Sequence, residues 1–462
     1  MQSKLVCLGC ETELPELGAS PLAFHCPLAP DDPTTDHILV RRFVNAERRA
    51  VRMDETNPYL RFRDFDHVYL TASAAGLSDN AYADLVRKLD AAISRVDGHG
   101  FSITPQERQV SLEMALGFSE PGGLWVKNET VNVSGSHKAR HLFSVLMHLE
   151  CIRQLGLADV SGELVIASCG NAALAAATLA RAAERSLRVF VPEDAEPSSL
   201  ERMRNLGAQI EICTRRATVL GDPTVHRFRE SLRNGSIPFS CQGPDQALAV
   251  QGGKTLAWEM IHSDELPLDR VLVQVGGGAL ASSLFSAYEE AQSLGHIRRL
   301  PRLHAVQTRG CYPLVRAYQR LVDDLQRRHG WQLTDDAEIR AMELRDKLGL
   351  DGINAEIRRA ARNRSSYMEP WSTVPHSIAH GILDDETYDW LPVVRGMLLS
   401  AGYPILIDEP DIKHALYLGR SCTGINVCAT GASSLAGLCV LLTTQPHIRR
   451  ERVGVLFTGR QR

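Results

Sequence analysis

The run Val271-Leu-Val-Gln-Val-Gly-Gly-Gly-Ala-Leu280 decides the fold. Val271–Val275 is valine-rich and too short for a helix, so it reads as a buried strand. Three glycines end it, and Leu280–Gln292 then carries a helical pattern. Strand, glycine turn and helix together make a unit of a parallel α/β sheet. Outward from this run the same alternation recurs. Leu164–Ser168, Leu187–Val191, Gln209–Cys213, Leu303–Gln307, Ile405–Asp408, Ile425–Ala429 and Val453–Phe457 read as strands, and Ala172–Glu184 and Pro197–Leu206 as helices. Most of these strands are apolar throughout, as parallel strands covered on both faces are. The predicted class is α/β with open parallel sheets. Asp324–Tyr367 is charged, helical and strand-free, and is expected to decorate the outside or lie near a subunit contact.

The chain's 462 residues suffice for more than one domain, and 44% hydrophobic with 23% charged residues is ordinary for a soluble globular protein. A formal net charge of −4 gives no general attraction for nucleic acid or anionic lipid. Ser421–Gln445 is uncharged, but only Leu435–Leu442 is densely apolar, short of the ~20 residues a span needs. No membrane segment is expected. Met1–Leu14 lacks signal-peptide features, and the eleven cysteines are scattered. Reduced thiols and a cytoplasmic location follow as expectations.

Four segments carry chemistry, each beside a plainer reading. Lys127-Asn-Glu-Thr-Val-Asn-Val-Ser-Gly-Ser-His-Lys-Ala-Arg140 is a Ser/Gly turn running into a helix. The positive end of a helix and a dry pocket favour a neutral amine, which can attack an aldehyde. The plain alternative is a solvated lysine in a first turn. Val165-Ile-Ala-Ser-Cys-Gly-Asn-Ala-Ala-Leu-Ala-Ala-Ala177 joins a strand to an alanine-rich helix whose first N–H groups suit a carboxylate; the alternative is a capped turn. Gly276-Gly-Gly-Ala-Leu280 lets backbone wrap a phosphate, without being a Rossmann or Walker A loop; the alternative is a packing turn. In Asn426-Val-Cys-Ala-Thr-Gly431 the predicted strand ends at Ala429, so Thr430 projects at its carboxyl end, or simply caps a helix.

In this order and spacing, over roughly Pro121–Gly459, the four segments resemble the fold type II pyridoxal phosphate (PLP) family. The resemblance implies two α/β domains with the cofactor in the cleft between them. It makes Lys138 the Schiff-base lysine and general base. Asn171 is placed on the cofactor's 3′-oxygen, Gly276, Gly277, Gly278, Ala279 and Leu280 around the 5′-phosphate, and Thr430 at the pyridine nitrogen. Ser168, Cys169 and Gly170 would clasp the substrate carboxylate. A neutral hydroxyl at that nitrogen favours elimination over transamination.

Within the family the chain looks most like threonine synthase-like proteins, through Lys127-Asn-Glu129, Gln251-Gly-Gly-Lys-Thr-Leu-Ala-Trp-Glu259 and the leader Cys7-x-x-Cys10 with Cys26. His137, Ala139 and Gln251 depart from their pattern. The resemblance implies conversion of O-phosphohomoserine to threonine and phosphate, with Arg140 and Lys254 offered to the substrate phosphate. The alternative is a serine/threonine ammonia-lyase or another β-elimination or β-replacement enzyme. A non-catalytic PLP-binding protein and a zinc-dependent interaction protein complete the field. A homodimer is implied. The expected division is a leader at 1–30, a large domain of 31–144 and 259–462, and a small mobile domain at 145–258. The leader resembles a zinc ribbon but lacks a second Cys-x-x-Cys; His25 or His37 could supply a fourth ligand. The expectation is a degenerate leader with no metal.

Overall fold

Twelve strands fall into three sheets among the residues that the computed structural model describes, 1–32, 34–215, 222–263 and 267–462. An amino-terminal hairpin pairs β1 (Gln2–Cys7) with β2 (Leu39–Val44), antiparallel, Cys7 opposite Leu39. Four strands, β5 (Leu164–Ala167), β6 (Leu187–Pro192), β7 (Gln209–Cys213) and β8 (Ile237–Pro238), form a parallel sheet in the order β7-β6-β5-β8. The largest sheet contains β3 (Gln106–Arg108), β4 (Gly123–Asn128), β9 (Arg270–Gln274), β10 (Arg302–Thr308), β11 (Ile405–Ile407) and β12 (Arg452–Phe457). Its order is β11-β10-β9-β12-β4-β3, parallel except for the edge strand β3.

The strand that opened the sequence reading lies inside this sheet. β9 is buried along its length between β10 and β12, which is why it is apolar on both faces. Helix Ala279–Ser293 follows it at once. The boundaries expected at 144 and 258 fall inside two continuous helices, Lys138–Leu155 and Ala247–Ile261, which pack against each other. The leader's Leu5, Cys7, Leu17, Phe24 and Cys26 share one core with Leu142, Leu146 and Leu164.

Two expectations are corrected here. Ile425–Ala429 is not a strand: only Val427 makes a bridge, to Arg460, and a helix begins at Ala429. Cys428 caps that helix, its sulfur accepting the Gly431 N–H at 3.3 Å, and the small residues behind it continue the helix. Nor is Asp324–Tyr367 external decoration. Leu325, Leu344, Ile353, Ile357 and Tyr367 are buried in the main core, and the amphipathic pattern reflects that inner face. No described helix is long and apolar enough to cross a membrane.

Candidate active site

Three helices open on the sequence motifs, at Lys138, Asn171 and Ala279, and none has a side-chain cap. The first-turn N–H groups of such helices have no intrahelical partner and are available to anions. Elsewhere helix starts are capped by Asp66, Ser78, Asp222, Asp336 and Asp408, while those at Pro197, Pro313 and Trp390 are uncapped too.

The exit of β12 draws the motifs together. The His137 N–H donates to the Thr458 carbonyl at 3.1 Å, and Ser136 bridges Gly459. A side chain at Gly459 would meet the Asn171 amide nitrogen at 2.7 Å. The Cys428 N–H donates to the Gly459 carbonyl at 2.9 Å, setting the start of the Thr430 helix. Gln274, at the end of β9, donates to the Thr458 hydroxyl at 2.6 Å and to the Thr430 carbonyl at 2.9 Å. Lys138, Asn171, the glycine turn and Thr430 are therefore tied to one place. Thr430 reaches it from a first helical turn instead of a strand end, and its hydroxyl accepts the Gly381 N–H at 3.0 Å. Ser168, Cys169 and Gly170 precede the Asn171 helix, where Ser168 Oγ accepts the Gly170 N–H at 3.4 Å.

Gly276–Gly278 is confined by segment 381–389. Thr387 Oγ1 donates to the Gly276 carbonyl and the Asp389 N–H to the Gly277 carbonyl, both at 2.9 Å. A Cβ at Gly276 would stand 2.3 Å from Asp384 Oδ2 and 2.9 Å from Ile382 Cα, and Gly278 has φ +98. Asp384, Thr387, Tyr388 and Asp389 pack so closely on the three glycines that no side chain fits at these positions. Asp384 lies against the turn. Burial pushes its carboxyl up to about 6, against the pull of the Lys138 charge, so it carries a proton over part of the neutral range.

Asp384, Asp389, Gln274 and Thr458 escaped sequence reasoning. Gln274 lies within the Val271–Leu280 run but was given no role, and the other three lie outside the four segments. Asp389 is fully buried, and burial raises its carboxyl to about 7 while the Gly243 N–H, 3.1 Å away, pulls it down. Its folded value lies above its ordinary value of 3.8, so the folded state holds the extra proton. Stability is then lost as pH rises from about 4 to 7. Asp389→Asn should remove that loss, roughly 3–4 kcal/mol at pH 8. Melting curves at pH 5 and 8 check this: the variant should gain at pH 8 and lie near wild type at acid pH. Parallel curves would refute it.

Arg140 and Lys254 correct the reading of a second anion site. Arg140 is fully buried and donates to Glu129 at 2.8 Å and Glu259 at 2.5 Å. Lys127 meets the same Glu259 at 2.6 Å. Burial alone would push Glu259 up, but Arg140 and Lys127 hold it below its ordinary value. Lys254 is buried against Glu290 at 2.5 Å, and burial together with Arg41 lowers its ammonium to about 8. Both cations are consumed inside the protein, because a buried charge must be paired.

Comparison with known proteins bears on the fold and the family. The chain is 25% identical over 362 residues to a threonine synthase of Methanocaldococcus jannaschii, covering 77% of this chain and 74% of that one. It is 26% identical over 196 residues to an L-serine dehydratase of Saccharomyces cerevisiae, 40% of this chain and 56% of the relative. Among solved structures, maize serine racemase superposes with TM-score 0.55 at 18% identity, covering 82% of this chain and 95% of that one. The serine racemase of Dictyostelium discoideum gives 0.54 at 18%, covering 82% and 98%. These two likenesses establish the shared fold. The family model described as pyridoxal-phosphate dependent enzyme matches residues 103–459, and the chain belongs to that family, with pyridoxal phosphate as its cofactor.

Proposed function

We propose that this lyase is threonine synthase-like, releasing phosphate from O-phosphohomoserine and adding water to give threonine. One observation carries the reading. The two segments through which the chain resembles threonine synthase-like proteins, Lys127-Asn-Glu129 and Gln251–Glu259, meet in a single buried ion network with Arg140. That network holds the Lys138 helix from behind. The M. jannaschii threonine synthase, similar over 77% of the chain, supports the same reading.

Bound pyridoxal phosphate supplies an electron sink for a negative charge on the substrate α-carbon. In our reading Lys138 holds the cofactor and moves the α-proton. The uncapped Asn171 helix and Ser168–Gly170 orient the substrate carboxylate, and Asn171 faces the ring oxygen. Gly276 to Leu280 take the phosphate, and Thr430, steadied through Gln274, faces the ring nitrogen. Asp384 can hold a proton beside Lys138. The unit around β5–β8, about residues 145–258, closes on the substrate and excludes water. A cytoplasmic homodimer completes the reading.

A second reading, serine or threonine ammonia-lyase, is favoured by the consumption of Arg140 and Lys254 in ion pairs, since β-elimination of a hydroxyl needs no second phosphate site. One assay separates the two. Phosphate and threonine from O-phosphohomoserine support the synthase. Keto acid and ammonia from serine or threonine, without phosphate release from O-phosphohomoserine, would replace it with the lyase.

A further inference from the structure

The leader contains a second constellation that the chemistry above does not use. Cys7, Cys10, Cys26 and His37 each offer one ligand atom, and these atoms all lie within 4.8 Å of one another. Cys10 Sγ stands 3.5 Å from Cys26 Sγ, and Cys7 Sγ stands 3.5 Å from His37 Nδ1. Ligand atoms on a tetrahedron with metal–sulfur bonds of ~2.3 Å are roughly 3.8 Å apart. The separations thus suit a shared ion, and 3.5 Å is well beyond the ~2.05 Å of a disulfide. Cys7, Cys26 and His37 are buried, whereas His25 is exposed, which decides between the two histidines.

The surroundings are built for the same purpose. Cys7 ends β1 and Leu39, opposite it, begins β2, so the cluster sits at the closed end of the hairpin. Gly9, between the paired cysteines, is approached so closely that a Cβ would lie 2.5 Å from Thr35 Cγ2 and 2.6 Å from the Asp36 carbonyl oxygen. The glycine lets the loop bearing His37 fold onto the Cys-x-x-Cys turn. His37 Nε2 is buried without a hydrogen-bond partner and faces the Asp32 carboxylate at 3.8 Å. That leaves Nδ1 for an ion, with a carboxylate behind the ring, the arrangement common to metal-bound histidine. Thr12 Oγ1 lies 3.2 Å from Cys10 Sγ and can donate to a thiolate there.

We propose that Cys7, Cys10, Cys26 and His37 Nδ1 bind one structural zinc ion in tetrahedral geometry. Three soft thiolates and an imidazole select zinc over magnesium or calcium, and four protein ligands leave no open position for chemistry. The ion clamps the leader onto the catalytic body. Asp36, next to His37, accepts from Arg364 Nε at 2.8 Å and from Trp390 Nε1 at 2.6 Å, and the Asp36 N–H donates to the Ala361 carbonyl at 2.8 Å. Trp390 follows Asp389, whose N–H holds the glycine turn.

Metal analysis of the full-length protein, purified under reducing conditions and reconstituted with zinc, should find about one zinc per chain. Cobalt substitution should give thiolate-to-metal charge transfer and the visible bands of a tetrahedral site. Cys10→Ser should lose tight metal binding, while His37→Cys should retain it with an altered cobalt spectrum. Stripping the wild-type protein with a chelator should lower its melting temperature, and zinc should restore it where magnesium does not. A wild-type protein that takes up no zinc or cobalt overturns the proposal even if a variant fails to fold. An unchanged cobalt spectrum in folded Cys10→Ser, or restoration by magnesium, overturns it as well.

Discussion

Lys138→Ala should lower turnover by roughly 10²–10⁴-fold, the usual contribution of a positioned acid–base group, while the folded chain remains intact. Three lysines come into question for the cofactor link, and the structure separates them. Lys127 Nζ donates to Glu259 at 2.6 Å and Lys254 to Glu290 at 2.5 Å, so each is held inside an ion pair. No ion pair closes on Lys138 among the described residues, and it is only half-buried, at the first turn of an uncapped helix. Borohydride reduction followed by peptide mapping should place the pyridoxyl group on Lys138. Recovery on Lys127 or Lys254 would overturn the assignment, as would wild-type turnover in Lys138→Ala.

Arg140→Ala should cost the fold about 3–5 kcal/mol, because it leaves two buried carboxylates facing a single remaining cation. Glu129 and Glu259 are both fully buried, and Lys127 alone cannot neutralise them. Lost stability of that size should lower the melting temperature by roughly 3–5 °C in a chain of this length. Substrate affinity should change only as far as the fold does. The outcome separates two roles: an unchanged melting temperature with a KM raised only for phosphorylated substrates would return Arg140 to the substrate. A milder Arg140→Lys change keeps the charge but loses the forked contact to two carboxylates, and should fall between the two.

Much of the site was legible in the residues themselves. The glycine turn after β9, the alanine-rich helix after β5 and the helix opening at Lys138 are local events, each decided by residues a few positions apart. Their strands were legible because a parallel strand covered on both faces must be apolar throughout. Where local pattern was ambiguous, reading it as a strand failed. Ile425-Asn-Val-Cys-Ala429 has strand-forming residues but no neighbour to pair with beyond the Val427 bridge, so the helix starting at Ala429 takes over.

By itself, then, the sequence determined the α/β class and the order of the motifs, because period, glycine and chain spacing act over short range; the cofactor followed from the family those motifs resemble. The tertiary structure alone decided which charges are available. Arg140 and Glu259 are 119 positions apart, and only folding shows that the guanidinium is consumed by that carboxylate and not by a substrate. It alone brought Asp384 against Gly276 and gathered Cys7, Cys10, Cys26 and His37 at the closed end of one hairpin. The reason is physical: burial raises the cost of an unpaired charge, and which groups are buried together is set by packing between elements, not by their place in the chain.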